Sequence, residues 1–325
     1  MDPQRQKSAV AWLSVLSNLT LVLVKLVIGV MIQSVSVISE AIHSGVDLVA
    51  AIIALFAVKS AGKPADNDHP YGHGKIENVS GTVEALLIFL AAAWIIYEAV
   101  DKLVHHSNTM NEVGWGIGIM LISSVANMIV SHLLFVVGKR TDSIALQADA
   151  WHLRTDVYTS AGVMGGLAII WLGGKLLPPS FDLRWVDPVA AIGVALLIIR
   201  AAWELTVQSS RDLLDASLPP EEEAWIRGYI GRLRPTIRGF HRLRTRKAGS
   251  TRFIEFHLIV EADMSVLDSH RISDVIECDI EEHLPNSNVT VHIEPCTGEC
   301  KPLCSSGCLL TNEEKSAIKK VSQAT

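Results

Sequence analysis

The sequence predicts six membrane-spanning α-helices followed by a small soluble α+β domain. Three observations carry this prediction. Hydrophobic residues make up 49% of the 325 residues, and the mean hydropathy is +0.33, a value that soluble chains of this size rarely reach. Charged residues are only 19%, and they crowd into the last third, behind long apolar runs. Beyond residue 211 the pattern changes to amphipathic helices and alternating strands.

A span needs about 20 apolar residues. Six segments qualify: 9–33, 36–60, 78–104, 113–138, 144–172 and 187–209. The first is too long for a signal-peptide core and shows no cleavage pattern before the next span, so it is read as a retained helix. Six spans put both termini on one side. Arg5, Lys7, Lys59, Lys63, Lys75, Lys139 and Arg140 fall on that side, against Lys102, Lys175 and Arg184 on the other. The positive-inside rule therefore places the termini in the cytoplasm, together with the loop "ADNDHPYGHGK".

In the last third, "EEEAWIRGYIGRLRP" reads as an amphipathic helix, "FHRLRTRKAG" and "STRFIEFHLIVEA" as strands around a Gly-Ser turn, "SVLDSHRISDVIECDIEEHL" as a helix and "SNVTVHIEP" as a strand. The order αββαβ suits a sheet with helices on one face. The expected division is a membrane domain over 1–210, a soluble domain over 211–296 and a Cys-containing polar tail over 297–325, mobile apart from its cysteines. A net charge of -6 argues against nucleic acid as a partner. The chain carries no P-loop and no nucleophile constellation, so neither an enzyme nor an ATP-driven pump is expected. Four of the five cysteines lie after residue 295, which is not the layout of an extracellular disulfide framework. Cys278 is read as core.

The informative residues are those that lipid should exclude. In span two, Ser39, His43 and Asp47 recur at i, i+4, i+8; in span five, Asp149, His152 and Asp156 share one face. An aspartate at a helix centre costs roughly 2.5–3.5 kcal/mol on insertion scales. The bland reading is a pair of interhelical His–Asp hydrogen bonds. Duplicate His-x-x-x-Asp pairs on separate helices are more simply explained as one four-ligand cation site: His43, Asp47, His152 and Asp156. Two imidazoles and two carboxylates make a tetrahedral set that suits Zn²⁺, with Cd²⁺, Co²⁺ or Fe²⁺ as companions. An imidazole must be neutral to coordinate, so metal binding expels protons and protonation expels metal. Asp149 either gathers cations or hydrogen-bonds within the bundle. Lys25 snorkels or lines a water-filled path, Glu84 is read as facing a partner helix, and Asn127 and Ser131 are read as packing.

In the soluble domain, alternation puts Glu255 and His257 on one face of their strand and Thr290, His292 and Glu294 on one face of theirs. His241, His257, His270, His292 and Glu294 can then converge. In the tail, Cys296, Cys300, Cys304 and Cys308 recur every four residues, a spacing open to a soft metal site, although Gly298, Pro302 and Gly307 argue against one regular helix. In the loop, Asp66, His69 and His73 read as a metal site, a hinge or a solvated turn.

Through "SEAIHSGVDLVA", "HPYGHGKIE", "ADAWHLRTD" and "HRLRTRKAGSTRFIEFHL" the chain resembles the cation diffusion facilitator family of zinc/cation–proton antiporters, over about residues 10–296. The resemblance implies a homodimer of six-helix subunits with ferredoxin-like, metallochaperone-like cytosolic domains. It implies transport at His43, Asp47, His152 and Asp156, and a secondary cation site at Asp66, His69 and His73. It further implies metal bound across the dimer interface by the soluble-domain histidines, and a Lys75–Asp215 salt bridge. Glu294 stands where some members have Asp. The short "GKRTDS" link, in place of a His-rich loop, points to a bacterial-type member in the cell membrane. The expected activity is export of Zn²⁺ from the cytosol in exchange for protons, by alternating access. The alternatives are an exporter preferring Fe²⁺ or Mn²⁺, and a membrane-anchored metal sensor; the intramembrane pairs favour transport.

Overall fold

The computed structural model describes residues 3–31, 35–105, 114–176, 185–300 and 302–322; the side chains of some helical residues, His43 among them, are outside that description. The chain divides into two compact units, Met1–Leu213 and Leu214–Thr325.

Among the described residues, the regular structure of the first unit is helical: α1 (Pro3–Met31), α2 (Val35–Ala61), α3 (Lys75–His105), α4 (Gly114–Arg140), α5 (Ile144–Leu176) and α6 (Val186–Leu213). Among the described residues, α1, α2, α3, α4 and α6 are long and apolar enough to cross a membrane. The 33-residue α5 carries the polar cluster in its described half. The link between α4 and α5 shows how local chemistry sets the topology. Ser143 N–H donates to the Gly138 carbonyl at 2.8 Å, and Asp142 takes φ 56°, the left-handed conformation that closes a helix. So short a link makes α4 and α5 antiparallel neighbours.

Small residues let the helices approach closely. Ala11, Ala51, Ala57, Val58, Leu134, Ala145, Ala150 and Leu153 join α1, α2, α4 and α5 in one core. Ile88, Ala92, Ile198 and Ala202 join α3 to α6. Trp12, Leu16, Phe56, Ile122, Leu197 and Trp203 face outward, the surface that hydrocarbon covers in a spanning bundle.

Polar groups tie the helix ends nearest the N-terminus. Lys7 and Glu77 form an ion pair at 3.0 Å with side chains only 4% and 2% exposed, and the Ser143 hydroxyl donates to the other Glu77 oxygen at 2.5 Å. This joins α1, α3 and the start of α5. Asn78 donates to Asp212 at 3.0 Å, tying α3 to α6.

The second unit runs α7 (Pro220–Gly231), β1 (Gly239–Ala248), β2 (Thr251–Glu261), α8 (Val266–His283), β3 (Ser287–Cys296), α9 (Pro302–Ser306) and α10 (Asn312–Ser322). Pro220 and three glutamates open α7, and the Ser265 hydroxyl caps α8 by accepting from Asp268 N–H. The sheet order is β1-β2-β3, with β1/β2 antiparallel and β2/β3 parallel. Ile254, Phe256, Leu258 and Val260 of β2 bury against Ile226 and Ile230 of α7 and Ile276 and Ile280 of α8. The other face of the sheet carries His241, His257 and His292, which are cross-strand neighbours in register.

Two expectations are corrected. Residues 297–325 are not only a polar tail: they contain α9 and α10, and Cys308 bridges to Gly239 of β1. Cys278 is exposed on α8 rather than core.

Candidate metal centres

Among the described residues, three clusters bring three ligand atoms within 4.8 Å of one another: Asp47, His152 and Asp156; Asp66, His69 and His73; and His241, His257 and Glu294.

The first lies inside the helical unit. Asp156 is reached about 18 Å along α5 from Ile144, at about 1.5 Å per residue, well away from the Lys7–Glu77 end. His152 Nε2 stands 3.3 Å from Asp47 Oδ1, with both residues buried. His152 Nδ1 has no partner among the described residues. His43 lies one turn before Asp47 on α2, but its side chain is outside the described residues. Arg154, between the two α5 ligands, turns away and lies over the Phe135 ring at 4.2 Å. It therefore does not neutralise the carboxylates.

The cluster borders a cavity of about 540 Å³, also lined by Lys25, Ser44, Glu98, Asn127 and Thr159. Lys25, Ser44 and Glu98 occupy the halves of their helices remote from the Lys7–Glu77 end, while Asn127 and Thr159 lie near the centres of α4 and α5. Lys25 is buried and donates to Ser44 at 2.8 Å, so it lines the cavity rather than snorkelling. Asn127 lines it as well. On the sealed side, Asp149 is 0% exposed and neither of its oxygens has a hydrogen-bond partner among the described residues. Glu84, equally buried, accepts from Ser80 at 3.3 Å.

The second cluster is the loop between α2 and α3. Asp66 Oδ1 accepts from the backbone N–H of His69 at 2.7 Å and of Asp68 at 3.1 Å, which folds the loop on itself. Asp66 lies 3.3 Å from both His69 Nδ1 and His73 Nε2. The hydrogen bond from the His69 backbone N–H holds the Asp66 carboxyl below its ordinary range against the opposing effect of desolvation, and the His69 and His73 imidazoles add to the lowering. Gly72, at φ 81°, supplies a conformation that only glycine adopts without strain. Lys75 donates to the Leu213 carbonyl at 3.4 Å. Asp215 pairs with Arg246 at 3.4 Å within the second unit.

The third cluster stands on the open face of the sheet. Glu294 bridges His257 Nδ1 at 2.7 Å and His241 Nε2 at 2.9 Å. His292 is adjacent, its Nε2 3.8 Å from Glu294 and its side chain 65% exposed. His270 does not join this cluster. It sits on α8, 3.7 Å from Asp274, and α8 packs on the other face of the sheet. Sequence reasoning also missed the irregularity in β1 between His241 and Arg244, where Arg242 takes φ 52°. The extra residue keeps Phe240 and Leu243 toward the core while His241 faces Glu294. Cys296, Cys300, Cys304 and Cys308 are all free thiols.

The Glu294 carboxyl is held below its ordinary range, chiefly by the hydrogen bond with His257 and then by that with His241, against partial burial. A lowered folded value means that ionised Glu294 stabilises the domain above the ordinary carboxylate pKa, and that this is lost as pH falls through the lowered value. Glu294→Gln is expected to flatten the acid side of the stability profile, read as thermal melts between roughly pH 3 and 5.

Comparison with known proteins adds the following. Residues 11–214 match the family described as the cation efflux transmembrane domain, and residues 218–296 match that described as the cation efflux protein cytoplasmic domain. An uncharacterized transporter of Synechocystis sp. is 37% identical over 262 residues, covering 81% of this chain and 82% of that protein. The cation-efflux pump FieF of Salmonella newport is 30% identical over 264 residues, covering 81% of this chain and 84% of that protein. A solved metal-bound C-terminal domain of the CzcD transporter from Thermotoga maritima is 27% identical, covering 24% of this chain and 94% of that one, with a TM-score of 0.22.

Proposed function

The chain belongs to the cation diffusion facilitator family of cation efflux transporters, and from that premise we propose that it exports Zn²⁺ from the cytosol in exchange for protons. The observation that carries the reading is the convergence of Asp47, His152 and Asp156 beside a cavity within the helical unit. His43, on the same face of α2 as Asp47, completes a set of two imidazoles and two carboxylates. Such a set suits Zn²⁺ at about 2.0–2.2 Å.

The residues act as follows. The metal enters with the site open toward the termini, where Asp149 contributes negative charge to the path. Its binding requires neutral imidazoles and ionised carboxylates, so protons leave as it arrives. Closure of the terminal side, with Lys7, Glu77 and Ser143 brought together, leaves the site open to the remote cavity. Protons arriving there compete for His152 and the aspartates, and the metal departs. The protonated site then returns. Two chains pair through their cytosolic domains in the bacterial cell membrane, and metal held by His241, His257 and Glu294 biases them toward the productive arrangement. The Asp66 loop holds a further cation.

The test is uptake into proteoliposomes under imposed pH gradients, with Zn²⁺, Cd²⁺, Fe²⁺ and Mn²⁺ compared. An acidic lumen is expected to accelerate Zn²⁺ uptake most, and an alkaline lumen to slow it. No metal movement under either gradient contradicts transport, and movement indifferent to the gradient contradicts proton exchange.

A further inference from the structure

We infer that the C-terminal tail builds a second metal site in the cytosolic domain. It is a thiolate-rich pocket for a soft divalent cation such as Zn²⁺ or Cd²⁺, formed by Cys296, Cys300, Cys304 and Cys308 beside His241 and Glu294.

The tail is folded onto the domain by several independent contacts. Phe240 N–H donates to the Gly307 carbonyl, and Leu309 N–H to the Arg238 carbonyl, both at 3.0 Å. A Cβ at Gly307 would collide with the Phe240 carbonyl. Only glycine therefore lets the tail approach β1 this closely. Leu310 is buried, and Arg234 holds both oxygens of Glu314 at 2.9 and 3.1 Å. Thr311 and Glu314 cap α10 reciprocally: the Thr311 N–H donates to Glu314 at 2.7 Å, and the Glu314 N–H to the Thr311 hydroxyl at 3.3 Å. Cys296 ends β3, Cys304 lies on α9 and Cys308 is held at the β1 bridge. Three of the four thiols are thus placed by different elements.

All four cysteines, with His241 and Glu294, line one cavity of about 400 Å³. His241 is only 8% exposed at its side chain, and its Nδ1 has no partner among the described residues. That leaves one buried ligand atom unused on a residue bordering the thiols. Among the described residues no three of these sulfurs lie within 4.8 Å of one another. Tetrahedral coordination at about 2.3 Å draws sulfurs to about 3.8 Å apart, so metal binding tightens the tail onto β1 and β3. Because His241 and Glu294 belong also to the histidine cluster, filling the thiol pocket changes the affinity of that cluster.

The experiment is Co²⁺ and Zn²⁺ titration of the purified full chain under reducing conditions, with three variants. The intact chain is expected to show a sulfur-to-cobalt charge-transfer band. A chain carrying Cys300→Ser, Cys304→Ser and Cys308→Ser is expected to lose the band and to bind one fewer Zn²⁺. Gly307→Val keeps every thiol but displaces the tail from β1, and is expected to weaken thiolate binding at least 10-fold. Asp156→Ala is expected to leave the band intact, which separates this site from the transport reading. Unchanged Zn²⁺ stoichiometry with no thiolate band, or a Gly307→Val chain that binds like the intact one, overturns the proposal.

Discussion

Asp156→Ala in proteoliposomes is expected to lose Zn²⁺ transport by more than about 100-fold while the protein remains folded. Loss of even an outer-shell partner of a metal ligand costs about 10–100-fold, and Asp156 is placed among the ligands themselves. The same substitution removes an acidic group from the bundle interior, where insertion scales charge roughly 2.5–3.5 kcal/mol. The variant is therefore expected to melt no lower than the intact chain. Function and stability should move apart, which a merely structural aspartate would not allow. Transport assays and thermal melts in detergent check both halves. Normal transport by the variant would contradict the site while leaving the family intact.

Lys7→Ala is expected to have the largest effect on stability. Removing the ammonium leaves Glu77 buried beside the Ser143 hydroxyl without its counter-charge, and breaking a buried pair in this way costs about 3–5 kcal/mol. The double change Lys7→Leu with Glu77→Leu is expected to recover most of that loss, because apolar replacement of a buried pair is often neutral or stabilising. Thermal melts of the single and double variants measure it. If the Lys7→Ala chain melts with the intact protein, the pair does not seal the bundle.

The site was legible where physics acts locally. Asp47, His152 and Asp156 declared themselves because i, i+4 spacing sets a helix face and because lipid penalises carboxylates. The αββαβ order followed from short-range periodicity for the same reason. What depends on distant packing was hidden. His270 was grouped with His241 because both are histidines in one domain, yet α8 covers the opposite face of the sheet. The β1 irregularity that aims His241 depends on pairing with β2, and nothing in "FHRLRTRKAG" announces it. Lys7 counted only as a cytoplasmic charge, whereas its side chain is buried against Glu77. The prolines and glycines of the tail correctly forbade one long helix. They gave no hint that Gly307 would let the chain bridge to β1.

The most direct measurement records Zn²⁺ and proton movement together in proteoliposomes carrying a luminal pH dye, starting with no pH gradient. An inward Zn²⁺ gradient is expected to drive protons outward, so that the lumen becomes alkaline with the intact chain and stays unchanged with Asp156→Ala. Zn²⁺ entering the intact vesicles without any luminal pH change would contradict metal–proton exchange at Asp47, His152 and Asp156.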